Sequence, residues 1–240
     1  LESVYGKFDK SYITISMAID MGILPIPEIR IIHMRLDRVT RRWHKGRALT
    51  DGERYDLIKS KVDKAFNAYS QNSSKFNKNR MLSAGSERKR FLGELKGLYA
   101  KEICNALNKQ NKRFLCFCSS IKQAEELGGE LAFTSHTPVS AKMIERFNNH
   151  EINSMYVVGK CIEGQNLADI DCGVITQLGG TDRITVQSIG RIMRSDNPVV
   201  YAIVFDDTKD DAFIRTITFN IPKNYIKHYK YNSINQLNNA

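Results

Sequence analysis

Residues 187–194, QSIGRIMR, set a glutamine, a glycine and two arginines within one short stretch. A spacing of three brings Arg191 and Arg194 onto one face of a helix. Glycine weakens a helix interior by roughly 1 kcal/mol relative to alanine, so a plain surface helix gains nothing from Gly190. Taken alone, the segment reads as a basic helix end whose cations offset the helix dipole. Three other stretches carry groups suited to phosphate or base. Ser119 and Ser120 follow an apolar run, and their hydroxyls and the amides of a helix start suit a phosphate oxygen. Residues 159–171, GKCIEGQNLADID, offer Lys160, a glycine for close backbone approach at Gly164, and Asn166. Around Trp43 stand Arg41, Arg42, Lys45 and Arg47. That indole either stacks on a base or clamps a backbone, or it anchors its segment to the core.

The elements that must hold these groups follow from hydrophobic rhythm. A short helix over about 14–21 should stop at Gly22, and Pro25 and Pro27 favour an extended connector. IRIIHMRL is then a strand. TDGE, Thr50 to Glu53, is a capping box heading a helix to about Tyr69. SQNSSKFNKN reads as loop, and a second long helix is expected over 86–109. From Arg113 onward short apolar strands (RFLCFCS, ELAFTS, SMYVVG, CGVITQL, VVYAIVF) alternate with helical stretches (SIKQAEELG, SAKMIERFNN, RITVQSIGRIM). Such alternation predicts βαβ units and a parallel sheet covered by helices on both faces. In these sheets ligands bind beyond the carboxyl ends of the strands, where the candidate stretches fall.

The order FLCFCSS, VVGKCIEGQNLADID, QSIGRIMR resembles motifs IV, V and VI of superfamily 2 helicases and translocases. SYITISMAIDMGILPIPEI is similar to the segment leaving the first lobe in some of these proteins. The resemblance covers roughly residues 10–37 and 98–206 and implies a RecA-like α/β fold, the second lobe of the motor. It implies that Arg191 and Arg194 face the γ-phosphate of ATP held by the other lobe, as planar, permanently charged donors. Gly190 would let the backbone come close to its neighbour. Gln187, Gly164 and Asn166 would line the nucleotide cleft, with Lys160 beside it or beside the nucleic acid. His136 lies where the family contacts the nucleic-acid backbone, although a satisfied loop histidine is the plainer reading. Gln187 and the Glu163, Gly164, Asn166 pattern depart from the DEAD-box branch toward remodeller-type and phage or restriction-type translocases. DNA is therefore expected more than RNA.

G-x-x-x-x-G-K-[ST] and an acidic magnesium stretch are absent from these residues. ATP and Mg2+ are thus expected on a larger polypeptide, bound with its N-terminal RecA-like lobe, and none on this chain alone, which should hydrolyse no ATP. The competing reading is a non-catalytic binding or scaffolding module, and a third is the motor subunit of a restriction system.

Charge locates the remaining function. Residues 38–101 hold 17 Lys/Arg and 6 Asp/Glu, while the remainder holds 19 and 20, so the whole net charge of +10 belongs to one segment. Such concentration is an electrostatic footprint for nucleic acid. The organisation expected is a linker at 1–28, a lobe at 29–37 and 98–222, a basic helical insertion at 38–97, and a polar, fraying tail at 223–240. Five cysteines without a C-x-x-C pair read as buried free thiols in a reducing, cytoplasmic setting, with no metal site. The acidic run 206–211 reads as a turn and helix cap rather than a metal site. No apolar run approaches the roughly 20 residues of a membrane span.

Overall fold

FLCFC, residues 114–118, carries no charged or amide side chain, and all five of its residues are buried. A strand apolar on both faces needs cover on both faces. The computed structural model describes residues 19, 21–23, 25–137, 140–158, 167–178, 192, 195–219 and 221–230. Its strands include β1 (Glu28–Met34), β4 (Phe114–Cys118), β5 (Ala132–Phe133), β6 (Ser154–Val158), β7 (Cys172–Ile175), β8 (Val199–Phe205) and β9 (Ile226–Lys230). They form one sheet in the order β5-β6-β4-β7-β8-β1-β9. Every pairing in it is parallel. The fold is the RecA-like α/β arrangement that the strand–helix rhythm and the motifs lead one to expect.

Alternation along each strand divides the core. Phe114, Cys116 and Cys118 join Ile32, Val174 and Ile203 on one face. That face is covered by α1 (Asp51–Gln71), α2 (Lys75–Leu95) and α3 (Gly97–Lys109) through Tyr55, Phe91 and Ile103, and by Ala124 of α4 (Ile121–Gly128). Leu115 and Phe117 join Ile31, Val157 and Val204 on the other. There α5 (Ser140–Asn148) contributes Met143 and Phe147, and α6 (Asp210–Thr218) contributes Phe213 and Ile214. Cys104, Cys116, Cys118 and Cys172 are buried free thiols, and Cys161 lies outside the described residues. Burial pushes the Cys172 thiol up to about 12, which leaves it protonated and inert.

Three expectations need correction. The helix expected over 86–109 is two helices, α2 and α3, parted at Lys96, and α2 begins eleven residues earlier, at Lys75. The polar run before it is loop only at 72–74, because its polarity serves the helix ends. Ser74 accepts the Asn77 N–H, and Asn77 Nδ2 donates to the Ala68 and Asn72 carbonyls. The tail expected to fray contains β9, paired with β1 from Ile226 to Lys230. An edge strand with one solvated face is polar by position, and this hides its signal. Last, 42–49 form an unexpected hairpin of β2 (Arg42–His44) and β3 (Arg47–Leu49). Its reversal uses Lys45 and Gly46 at φ 47° and 80°, the left-handed pair of a two-residue turn.

The Thr50 capping box forms as read, with Thr50 Oγ1 accepting the Glu53 N–H and Glu53 accepting the Thr50 N–H. Gly22 sits at φ 69° and donates to Ile19. The rest of the helix expected over 14–21, apart from Ile19 and Met21, lies outside the described residues. No helix among the described residues is long and apolar enough to cross a membrane.

Candidate functional site

Parallel strands bring their carboxyl ends to one edge, and the phosphate-suited stretches leave from it. β6, β4 and β7 are neighbours in the sheet. Ser119 and Ser120 follow β4, the chain from residue 159 follows β6, and the chain from 179 follows β7 by a few residues. Lys160, Gly164, Asn166, Gln187, Arg191 and Arg194 lie outside the described residues. What the structure does give is the frame on either side of them.

Gln123 ties that frame together. Its Oε1 accepts the Ser119 N–H at 2.7 Å, the Ser119 hydroxyl at 2.9 Å and the Thr176 hydroxyl at 3.0 Å. Its Nε2 donates to the Gly93 carbonyl at 2.7 Å. One amide thus joins the loop after β4, the loop after β7 and the end of α2. Gly93 has to be glycine for this docking, since a Cβ there would lie 2.3 Å from Ser119 Cβ. Sequence reasoning expected both serine hydroxyls to face phosphate. Instead Ser119 is engaged inside the protein, and Ser120 Oγ caps α4 by accepting the Gln123 N–H at 3.2 Å. Gln123 was missed, although a glutamine beside Ala124 on the apolar side of a short helix is a signal for a buried amide.

Arg113, also missed, holds the far end of the loop that follows β6. Its Nε donates to the Asp169 carbonyl at 2.9 Å, and its Nη2 to the Phe147 and Ala168 carbonyls at 2.8 and 3.2 Å. The guanidinium lies over the Phe147 ring, 4.2 Å from its centroid. The segment returning to β7 is therefore fixed against α5. Ile192, between the two arginines of QSIGRIMR, is wholly buried. It rests on β7 where Gly173 offers no side chain, and a Cβ there would come within 1.9 Å of Ile192 Cδ1.

At the far end of the same edge, His136 is exposed, with its N–H donating to Thr134 Oγ1 at 3.1 Å. It lines a cavity of about 480 Å3 together with Lys142 and Arg146. The basic segment leaves the edge from β1, five strand positions away, or about 24 Å at about 4.8 Å per strand. His136 and the segment that leads to the Trp43 hairpin thus leave the sheet at well-separated strands.

In the hairpin Arg41 reaches Glu53 at 2.9 Å and the Ala48 carbonyl at 3.0 Å. Arg42 reaches Asp51 at 2.7 Å and Asp37 at 3.6 Å. Asp37 itself accepts the Thr40 and Val39 amides, which hold its carboxyl at about 2. Both arginines, expected as nucleic-acid contacts, are engaged in fixing the hairpin stem. Trp43 is 78% exposed, so the core-anchor alternative for it does not hold. The acidic run is a structured turn: Asp206 meets His33, Asp211 accepts the Asp207 N–H, and Asp210 is buried against Lys96.

No protein-family model matches the sequence, and no curated protein matches it. Solved structures do. A variant of S. cerevisiae Dbp5 bound to RNA and ADP BeF3 superposes over 99% of this chain and 49% of its own, with TM-score 0.56 and 9% identity. Dbp5 bound to RNA and ADP BeF3 gives TM-score 0.54 at 10% identity, over the same shares. The helicase domain of Pyrococcus furiosus Hef is 20% identical over 68% of this chain and 38% of its own, with TM-score 0.41. The chain spans about half the length of the Dbp5 chains it matches. The resemblance to superfamily 2 helicases that the motifs carry thus extends to the fold, which is that of a RecA-like lobe.

Proposed function

We propose that the chain is the second RecA-like lobe of an ATP-dependent nucleic-acid helicase or translocase. The observation that carries this reading is topological: three adjacent strands, β6, β4 and β7, open onto one edge exactly where the motif-like segments begin, and the basic segment leaves that edge from β1.

In this reading ATP and Mg2+ sit between this lobe and the N-terminal lobe of the same polypeptide. Arg191 and Arg194 reach the γ-phosphate and stabilise the charge that spreads over its oxygens during transfer. Gln187, Gly164 and Asn166 line the cleft, and Lys160 lies beside it. Ile192, packed on Gly173, and the Arg113-bound segment 168–171 set where these groups can reach. The basic segment adds affinity for the phosphate backbone that falls steeply with salt. Two of the similar folds are Dbp5 chains bound to RNA, so the preference for DNA drawn from Gln187 gains no support, and the track is proposed as nucleic acid of either kind.

The test is steady-state ATPase of the full-length protein with and without single- and double-stranded DNA and RNA, beside Arg191→Ala. Stimulation by one nucleic acid, lost roughly a thousandfold in the variant on the scale of arginine fingers, is expected and names the track. Absence of hydrolysis under every condition would overturn the motor reading in favour of a scaffolding module.

A further inference from the structure

The β2–β3 hairpin holds an indole in water on a fixed mount. Paired residues of a hairpin share a face, and Trp43 pairs with Ala48. The smallest apolar side chain therefore stands where a larger one would cover the ring. On the opposite face His44 and Leu49 are half-buried. The stem is clamped on both sides, by Arg41 to Glu53 and by Arg42 to Asp51. Such a mount keeps a flat apolar ring presented without the entropy cost of ordering it on binding.

Charge surrounds it. Lys61 is paired with Glu87, and Lys45 and Arg90 also lie within electrostatic reach of that one carboxylate. Among the described residues Lys45, Arg47 and Arg90 make no ion pair or side-chain hydrogen bond. Lys45, close to the indole in the chain, is thus one of three cations around a single carboxylate, and Arg47, paired with His44 on the opposite face, adds a further charge beside the turn.

We propose that this hairpin is a stacking platform for unpaired bases of a nucleic acid, with Trp43 covering the base and Lys45, Arg47, Lys61 and Arg90 attracting the flanking phosphates. An indole face can meet only a base face, which a continuous duplex hides between its neighbours, so the platform prefers single strands or frayed ends. The proposal rests on the nucleic-acid reading above and adds an accessory site outside the nucleotide cleft, one that tells unpaired from paired strands.

Trp43 is the only tryptophan in the chain, so intrinsic emission reports on this residue alone. The full chain is titrated with a short oligothymidylate, with a blunt duplex of equal length and with anionic phosphatidylserine vesicles. Affinities are measured in parallel by anisotropy of labelled strands. Saturable quenching by the single strand, with the duplex bound but not quenching, is the expected result. Trp43→Ala should weaken the single strand about ten- to a hundredfold and leave duplex affinity and melting temperature unchanged, while Trp43→Phe restores part of the loss. Lys45→Ala with Arg47→Ala should weaken both ligands and flatten the salt slope. Single-strand binding without quenching, or equal quenching by the duplex, would overturn the platform while leaving the nucleic-acid reading intact. Binding of neither strand would overturn both. Quenching by vesicles alone would make this a membrane-facing surface instead.

Discussion

The Lys96 ammonium lies 2.7 Å from Asp210 Oδ2, with the two side chains only 1% and 3% exposed. Their contact is an ion pair rather than a well-directed hydrogen bond, and the same carboxylate oxygen accepts the Phe205 N–H at 3.1 Å. Lys96 stands at the break between α2 and α3, and Asp210 opens α6, so the pair fastens the base of the basic segment to the end of β8. Removing one partner strands a buried charge at a cost of about 3–5 kcal/mol. Lys96→Ala is expected to lower the melting temperature by about 6–20 °C. Lys96→Met combined with Asp210→Asn, which keeps an acceptor for Phe205, should cost less than Lys96→Ala alone. A double variant as unstable as the sum of the singles would show that the pair has no coupling.

Gln123 makes a different kind of prediction. Gln123→Leu keeps bulk but leaves the Ser119 N–H and hydroxyl without their acceptor, at about 1–3 kcal/mol for an orphaned group, while the Gly93 carbonyl keeps only the Lys96 N–H. Gln123→Glu keeps the acceptor for Ser119 and Thr176 but sets a second carboxylate oxygen against the Gly93 carbonyl, where an N–H now donates. Thermal denaturation should rank wild type above both variants at neutral pH, and acidification, which protonates the added carboxyl, should narrow the gap for Glu but not for Leu. On the proposed motor reading, the Leu variant should lower nucleic-acid-stimulated ATPase of the full-length protein more than ATP affinity, because the loops after β4 and β7 lose their common tie. Equal stability of Leu and wild type would remove Gln123 from the frame.

The legibility of this molecule in its sequence differs by element. FLCFC and VVYAIVF declare buried parallel strands because nothing in them tolerates water, and the Thr50 capping box is local enough to read directly. β9 and the α2 start are illegible for a shared reason: their polar residues serve an edge and a helix cap, and composition cannot separate those duties from loop. The same limit explains the site. Arginines, lysines and an indole are visible in the sequence as chemistry, but Gln123, Lys96, Asp210 and Arg113 work through partners 30 to 114 residues away or through carbonyls that carry no sequence signature. Arg41 and Arg42 show the same limit from the other side, since their carboxylate partners, which fix the hairpin, are not legible from the basic run around Trp43.

Gly173 and Ile192 connect the sheet to the arginine-bearing segment. Gly173→Ala places a methyl where Ile192 Cδ1 and Cγ1 now lie, so the isoleucine must move. Overpacking of this kind costs about 1–3 kcal/mol. Ile192→Val removes the nearest atom and should recover part of the loss in the Gly173→Ala background, while being mildly destabilising by itself. On the proposed motor reading, Gly173→Ala should reduce the kcat of the full-length protein with the same partial rescue. Lost activity with no rescue by Ile192→Val would place the effect elsewhere than this contact.

β9 should loosen as the medium turns mildly acidic. His33 Nδ1 meets Asp206 Oδ1 at 2.6 Å, and His33 Nε2 meets His228 Nδ1 at 2.8 Å. With the His33 Nδ1–H directed to the carboxylate, its Nε2 offers only a lone pair and accepts from His228. Burial, and secondarily the neighbouring His33, hold the His228 imidazole below its usual range. In the unfolded chain a histidine takes up its proton near pH 6.5, whereas the folded one does so at lower pH. Between those values the unfolded state binds more protons, so stability falls as pH drops through the window and is fully present above it. Lys227 of β9, paired with Glu28 of β1, continues to hold the strand at its start. Amide exchange in Ile226–Lys230, corrected for intrinsic rate, should therefore accelerate as the pH falls below about 6.5 in the wild type and change less in His228→Leu. An equal acid response in both would assign the loosening to a group other than His228.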